Sequence, residues 1–308
     1  MANSLRRKRD FLRVTDLSRE ELLELIERAA EWKLLGKNGP RALDRMSVGL
    51  VFEKASTRTR VSFQVGVYQL GGNSLMLSPA ETQLGRGEPV RDTARVLSRY
   101  LDALVVRTFQ HAKIEEMAAH ASVPVVNALT DASHPCQILA DLLTVTERFG
   151  ADVLRHADLD VAWIGDGNNM ANSWLEACCV LGFRLRLACP AGYDPDPGLL
   201  AKAGSRARLV RTPREAAQGA HVVNTDVWAS MGQEAEAAER QRCFAGFIVD
   251  RALMAAADPK AMVMHCLPAH RGEEIADDVL EGAQSAVFDE AENRLHAQKA
   301  LLELLLAQ

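Results

Sequence analysis

The sequence predicts an α/β protein of two domains, each built on a mostly parallel sheet. Three observations carry that expectation. The chain has 308 residues, which suits about two domains at roughly 150 residues each. Short apolar runs alternate with stretches of helical period, the pattern of a parallel α/β layer. The alternation pauses at Gly150-Ala-Asp and then starts afresh, which puts a boundary near residue 150.

The elements follow in order. Ser18 reads as a helix N-cap with Glu21 as its capping-box partner, and Leu22, Leu25, Ile26 and Ala29-Ala30 form the helix's apolar face. Val48–Phe52 is a short apolar strand, and a helix is expected over 57–70. Strands are expected over 101–106 and 123–127, then a helix over 138–149. The second pattern offers strands at 159–164, 184–188, 208–210, 221–225, 246–249, 262–265 and 285–288. A closing helix within 290–308 is expected to return to the first domain. The domains are therefore 1–150, with that helix, and 151–289.

Composition excludes several classes. Net charge is −5 and the pI about 5.9, so no global basic footprint invites nucleic acid. An anion site must instead be local. The six cysteines form no CxxC pair, which points to neither a zinc site nor a thioredoxin motif and favours reduced thiols in a cytoplasmic protein. No apolar core follows the basic N-terminus, and no run approaches about 18 apolar residues, so neither a secretory signal nor a membrane span is expected.

The first domain carries an anion-binding pattern. Glu53-Lys-Ala-Ser56-Thr57-Arg58-Thr59-Arg60 joins a strand to a helix, where backbone amides and the positive helix end favour an anion. The hydroxyls add donors, and Arg58 adds a planar fork suited to phosphate. The GxxxxGK[ST] pattern of nucleotide-binding loops is missing. The bland alternative is a capped helix start with solvated arginines. Arg107 ends a strand, where ligands of open α/β sheets bind. His134-Pro-Cys-Gln137 opens a helix with two side chains able to reach a carbonyl or amide.

The second domain has three polar strand ends. Gly165-Asp-Gly167-Asn168-Asn169 suggests a dinucleotide turn, but position 170 is Met170 where GxGxxG needs glycine, which demotes a nicotinamide reading. The asparagines suit a carboxylate or amide, or simply a turn. Asp226-Val-Trp-Ala-Ser230-Met231-Gly232 offers a carboxylate for an ammonium and a polar loop. His265-Cys266-Leu267-Pro268 places a thiol at a strand end. Neighbouring strand residues point to opposite faces, so His265 is badly placed to activate Cys266.

Together and in this order, with Ala291-Glu-Asn-Arg294, these segments resemble the ornithine carbamoyltransferases of the aspartate/ornithine carbamoyltransferase superfamily. The resemblance runs from about residue 10 to the C-terminus. It implies two parallel-sheet α/β domains of similar size joined by two helices, in a homotrimer or a multiple of trimers. It implies a carbamoyl-phosphate site of Ser56, Thr57, Arg58, Thr59, Arg107, His134, Gln137, Cys266, Leu267 and Arg294, with Gln83 reaching into the neighbouring subunit's site. It implies that Asn169, Asp226, Ser230 and Met231 hold ornithine, and that Arg107, His134, Asp226 and Cys266 are catalytic. No metal or organic cofactor is implied.

Aspartate carbamoyltransferases share the STRTR and HPxQ segments but carry HPLP where this chain has His265-Cys-Leu-Pro268. Relatives acting on acetylornithine or putrescine alter the loop containing Ser230-Met-Gly232, so unmodified ornithine is favoured here. The implied chemistry is direct attack of the neutral δ-amine on the carbamoyl carbon, expelling phosphate. The alternatives are a carbamoyltransferase for a related amine and a non-catalytic ligand sensor. A sensor would be expected to lose one of Arg58, Arg107, His134 or Cys266, and all four are present.

Overall fold

The computed structural model describes residues 8–78, 87–229 and 234–307. The chain forms two compact units. The first comprises Met1–Leu17, Glu24–Cys136 and Arg294–Gln308; the second comprises Ser18–Leu23 and Gln137–Asn293. The chain passes from the first unit to the second within helix Pro135–Phe149 and returns within helix Val287–Leu306.

The first unit holds a parallel four-stranded sheet: β1 (Ser47–Phe52), β2 (Asn73–Leu77), β3 (Ala103–Arg107) and β4 (Val125–Leu129), in the order β2-β1-β3-β4. β3 is buried along its whole length and β1 beyond its first residue, as expected of strands covered on both faces. Val51, Leu104, Val106, Ile114 and Met117 belong to one core cluster of this unit.

The second unit holds a parallel five-stranded sheet in the order β7-β6-β5-β8-β9. Its strands are β5 (Asp160–Ile164), β6 (Arg184–Ala188), β7 (Ala207–Val210), β8 (Val222–Thr225) and β9 (Met262–His265). Both sheets are wholly parallel, so the α/β class read from the alternation holds. The capping box also forms as expected: the Glu21 carboxylate accepts from Ser18 N–H at 2.8 Å, and Ser18 Oγ accepts from Glu21 N–H at 3.2 Å.

Three strand assignments change. β2 is not among the expected strands, because its sequence, NSLML, is short and sits half-exposed at a sheet edge, where no strong apolar run is required. The expected strand at 246–249 contributes only one bridge, Val249 with Ile275. The expected strand at 285–288 likewise reduces to Ser285 beside Val263, and the helix starts at Val287. Short apolar runs do not distinguish a strand from a buried turn or helix start.

Candidate active site

In each sheet the strand order reverses beside the first strand of the unit, and chemistry-bearing residues gather there. In the first unit the reversal lies between β1 and β3, and the crevice beyond their carboxyl ends is where open α/β sheets bind ligands. Ser56 caps helix Thr57–Gln69, its Oγ accepting from Thr59 N–H at 3.2 Å. That leaves the hydroxyl hydrogen of Ser56, the remaining first-turn amides and the positive helix end available to an anion. Thr57 is exposed and Arg58 half-buried at this helix start. Lys54, Ser56, Thr57 and Arg60 line one pocket.

Thr59 is fully buried. Its Oγ1 accepts from Arg107 Nη1 at 3.4 Å and from Arg294 Nη2 at 2.7 Å. A hydroxyl has two acceptor lone pairs and one donor hydrogen, so with both lone pairs engaged Thr59 can only donate further. Arg107 and Arg294 are themselves buried. Two guanidinium groups converging on one neutral hydroxyl form an arrangement that a bound anion stabilises.

Two nearby groups feel the same positive field. Burial holds the His134 imidazole well below its ordinary 6.5, and Arg294 and Arg107 push it the same way. The ring is therefore neutral at physiological pH and can donate one hydrogen bond without carrying charge. Burial and then Arg107 also lower Lys54, whose Nζ lies 4.1 Å from the Phe109 ring centre. Cys136, between His134 and Gln137, is a buried thiol pushed up to about 12 by burial; it behaves as a small core residue.

In the second unit the reversal lies between β5 and β8. Gly165 adopts φ +135°, and a β-carbon at Gly167 would meet Pro195 N at 2.2 Å, so both positions require glycine. The loop they shape delivers Asn168 to the N-cap of helix Asn169–Leu181, its Oδ1 accepting from Met170 N–H and Ala171 N–H at 2.9 and 3.2 Å. The same side chain donates through Nδ2 to Asp226 Oδ2 at 3.0 Å. Asn168 has φ −76°, so it serves as a cap and not as a left-handed turn residue. Asn169 starts the helix, half-buried. The loop after β5 is tied down by the Asp166–Arg240 ion pair at 2.7 Å, and Arg240 also donates to Trp228 O at 2.8 Å.

Asp226 follows β8 and is mostly buried. Its Oδ1 accepts from Val227 N–H at 2.8 Å and from the Cys266 thiol at 3.1 Å. Burial raises the Cys266 thiol well above its ordinary 9.0, and Asp226 and Glu290 add to that. The group is accordingly a protonated donor and not a thiolate nucleophile. His265 does not activate it. His265 Nδ1 accepts from Leu267 N–H at 2.9 Å, and Nε2 donates to the fully buried Glu274 at 3.0 Å. That clamp holds Leu267 at φ +57°, a backbone state costing a non-glycine residue about 1–3 kcal/mol.

Gln137 is fully buried one residue beyond Cys136. Its Nε2 donates to Asp141 at 2.9 Å and to Glu290 at 2.7 Å. The ligand atoms of Asp226, His265 and Cys266 all lie within 4.8 Å of one another, as do those of His270, Glu273 and Glu274. A cation in the first group would have to displace a hydrogen bond of His265.

Sequence models of the aspartate/ornithine carbamoyltransferases match the chain over most of its length: the carbamoyl-P binding domain over residues 9–147 and the Asp/Orn binding domain over 157–305. The chain belongs to the aspartate/ornithine carbamoyltransferase family. Among its relatives, the ornithine carbamoyltransferase of Pelobacter propionicus is 54% identical over 304 residues, covering 97% of this chain and 98% of that one. The anabolic ornithine carbamoyltransferase of Pseudomonas aeruginosa is 55% identical over 300 residues, 97% of each chain. The solved ornithine carbamoyltransferase of Pyrococcus furiosus superposes with TM-score 0.90 at 45% identity, covering 97% of each chain.

In the first unit Thr59 meets Arg107 and Arg294, whose charges reach His134, and Ser56, Thr57 and Arg58 stand at the same helix start as Thr59. In the second unit Asp226 meets Cys266, Leu267 follows Cys266 in the chain, Asn169 follows the Asn168 cap that meets Asp226, and Gln137 lies beside Glu290. Gln83, Ser230 and Met231 lie outside the described residues. The sequence did not single out Asn168 as a partner of Asp226, nor Asp141, Glu290 and Glu274. Asp141 had a legible signal, the i, i+4 spacing from Gln137 along a helix. Glu290 and Glu274 had none, because their partners are reached only through the tertiary fold.

Proposed function

We propose that this enzyme transfers the carbamoyl group of carbamoyl phosphate to the δ-amine of L-ornithine, giving L-citrulline and phosphate in arginine biosynthesis. The observation that carries the reading is one chain holding two unlike switch-point loci. One is a cationic helix start whose buried threonine can only donate; the other is a buried carboxylate held by an asparagine and a thiol. The first suits an acyl phosphate and the second an ammonium group.

We assign carbamoyl phosphate to residues 1–150 with the C-terminal helix, and ornithine to 151–289. Ser56, Thr57, Arg58 and Thr59 hold the phosphate, with Gln83 contributed across a subunit boundary. Arg107, His134 and Gln137 hold the carbamoyl group, with Cys266, Leu267 and Arg294 completing the site. Asn169, Asp226, Ser230 and Met231 hold the ornithine α-carboxylate and α-amine.

In the reaction the δ-nitrogen lone pair forms the new N–C bond while the carbonyl π electrons move onto oxygen. Arg107, Thr59 and neutral His134 are donors for that oxyanion. Collapse of the adduct breaks the C–O bond to phosphate, whose charge Arg58 and the helix end stabilise, and the amine proton leaves with the product phosphate. The step is addition and elimination at an activated carbonyl, so we assign it no cofactor. Cys266 orients the amine and forms no covalent intermediate.

A colorimetric assay for ureido product tests this with carbamoyl phosphate and, separately, ornithine, acetylornithine, putrescine and aspartate. Product is expected with ornithine alone. At subsaturating ornithine the rate should rise from pH 6 to 9, because an amine of pKa about 10.4 must lose a proton to react; a flat profile would contradict direct attack. His134 adds a separate acid limb in stability. Its folded value lies below 6.5, so the unfolded chain takes a proton the folded chain refuses, and stability falls as pH drops below about 6.5.

We also propose a cytoplasmic homotrimer or a multiple of trimers. Among the described residues no helix is long and apolar enough to cross a membrane. Val61, Val65 and Tyr68 form an exposed i, i+4, i+7 stripe on helix Thr57–Gln69, and Leu75 is exposed on edge strand β2, a pattern that suits burial by another copy. Light scattering should give a mass of three chains or a multiple. Val65→Glu with Tyr68→Glu should shift it toward the monomer, and a monomeric wild type overturns the assembly.

A further inference from the structure

The Gln137 amide has two chemically different ends, and the fold decides which way they point. Its Nε2 donates to Asp141 Oδ1, one turn along helix Pro135–Phe149, and to Glu290 Oε1 on helix Val287–Leu306. The second oxygen of Glu290 accepts from His265 N–H at 2.9 Å. Both oxygens of Glu290 thus act as acceptors, and a flipped Gln137 would press its own oxygen against two carboxylates. Like acceptors repel, so the nitrogen is locked toward Asp141 and Glu290 and the oxygen toward the other side. Gln137 Oε1 is buried and has no hydrogen-bond partner among the described residues. A buried unsatisfied acceptor on a side chain so firmly held is costly unless a ligand donates to it.

We propose that Asp141 and Glu290 are positioning residues that fix Gln137 as an acceptor for the carbamoyl N–H of the substrate, and so set the enzyme's choice of carbamoyl over other acyl phosphates. This rests on the function proposed above. Acetyl phosphate has the same phosphate and carbonyl but a methyl where carbamoyl phosphate has NH2, so the locked acceptor rejects it. Sites built to bond a donor discriminate strongly against analogues lacking one.

The test is the double variant Asp141→Asn with Glu290→Gln, which keeps shape but supplies amide donors that accept either Gln137 orientation. Three quantities are measured: KM for carbamoyl phosphate, Ki for acetyl phosphate and Ki for inorganic phosphate. The first should rise about ten- to a hundredfold, while both inhibition constants and the KM for ornithine stay within about threefold. A parallel weakening of all three phosphate ligands would mean general damage to the fold and overturn the proposal, as would three unchanged values. If the double variant fails to fold, Asp141→Asn alone decides, with a smaller change expected in the same ratio. Wild-type citrulline formation is measured first. Its absence sinks the proposed function, whereas an active wild type with an unaltered ratio in the variants sinks only the positioning role.

Discussion

Arg107→Ala is expected to lower kcat/KM for citrulline formation by about a hundred- to a thousandfold, the usual loss for one preorganised oxyanion donor. The residue closes β3 at the switch point, and its Nη1 lies 3.4 Å from Thr59 Oγ1. Removing it takes away one donor and also leaves one Thr59 lone pair unengaged, so the Thr59 hydroxyl loses its enforced role as a pure donor. The loss should fall mainly in kcat, because interactions that strengthen as charge develops act on the transition state and not on ground-state binding. His134 should remain neutral in the variant, since burial is the first cause of its shift and Arg107 the last. Arg107→Lys keeps the charge without the planar fork and should lie between. Steady-state kinetics with both substrates varied checks this. A kcat/KM within tenfold of wild type for the alanine variant would remove Arg107 from the reacting group.

Asp226→Asn should lower kcat/KM for ornithine by about a thousandfold, within the roughly 2–5 kcal/mol seen when one partner of a buried charge pair is removed. The change is nearly isosteric, and the Asn168 and Val227 hydrogen bonds can in part be kept, so folding should survive. Carbamoyl phosphate should still raise the thermal midpoint of the variant, by as much as is expected for wild type. The Cys266 thiol offers an internal readout. Asp226 is the largest cause of its upward shift after burial, so the thiol should alkylate at lower pH in the variant. Unchanged ornithine kinetics would place the ammonium contact elsewhere.

The two loci differ in how much of each was legible beforehand. The helix start from Ser56 to Thr59 is a local object: cap, first-turn amides and hydroxyls follow from eight consecutive residues, and the structure places Ser56 as the cap of that helix. The reading of His265 as unable to activate Cys266 was also local, since strand alternation alone separates the two. The paired asparagines were less transparent. Their local chemistry fits a turn, a cap or a ligand, and only contact with Asp226, 58 positions away, shows that Asn168 combines the cap with support of the carboxylate.

What the sequence determined by itself was the α/β class, set by the alternation of helical and strand periods, and the chemical kinds of group standing at strand ends. The tertiary structure alone decided how those groups are engaged. Thr59 becomes a pure donor because arginines 48 and 235 positions away converge on it. The Gln137 nitrogen is oriented by Glu290, 153 positions along the chain, which accepts from it. Edge strand β2 forms because β1 presents open backbone groups, not because NSLML demands a strand. Hydrogen-bond direction and charge are properties of neighbours in space, and chain order does not encode them until the sheets are paired.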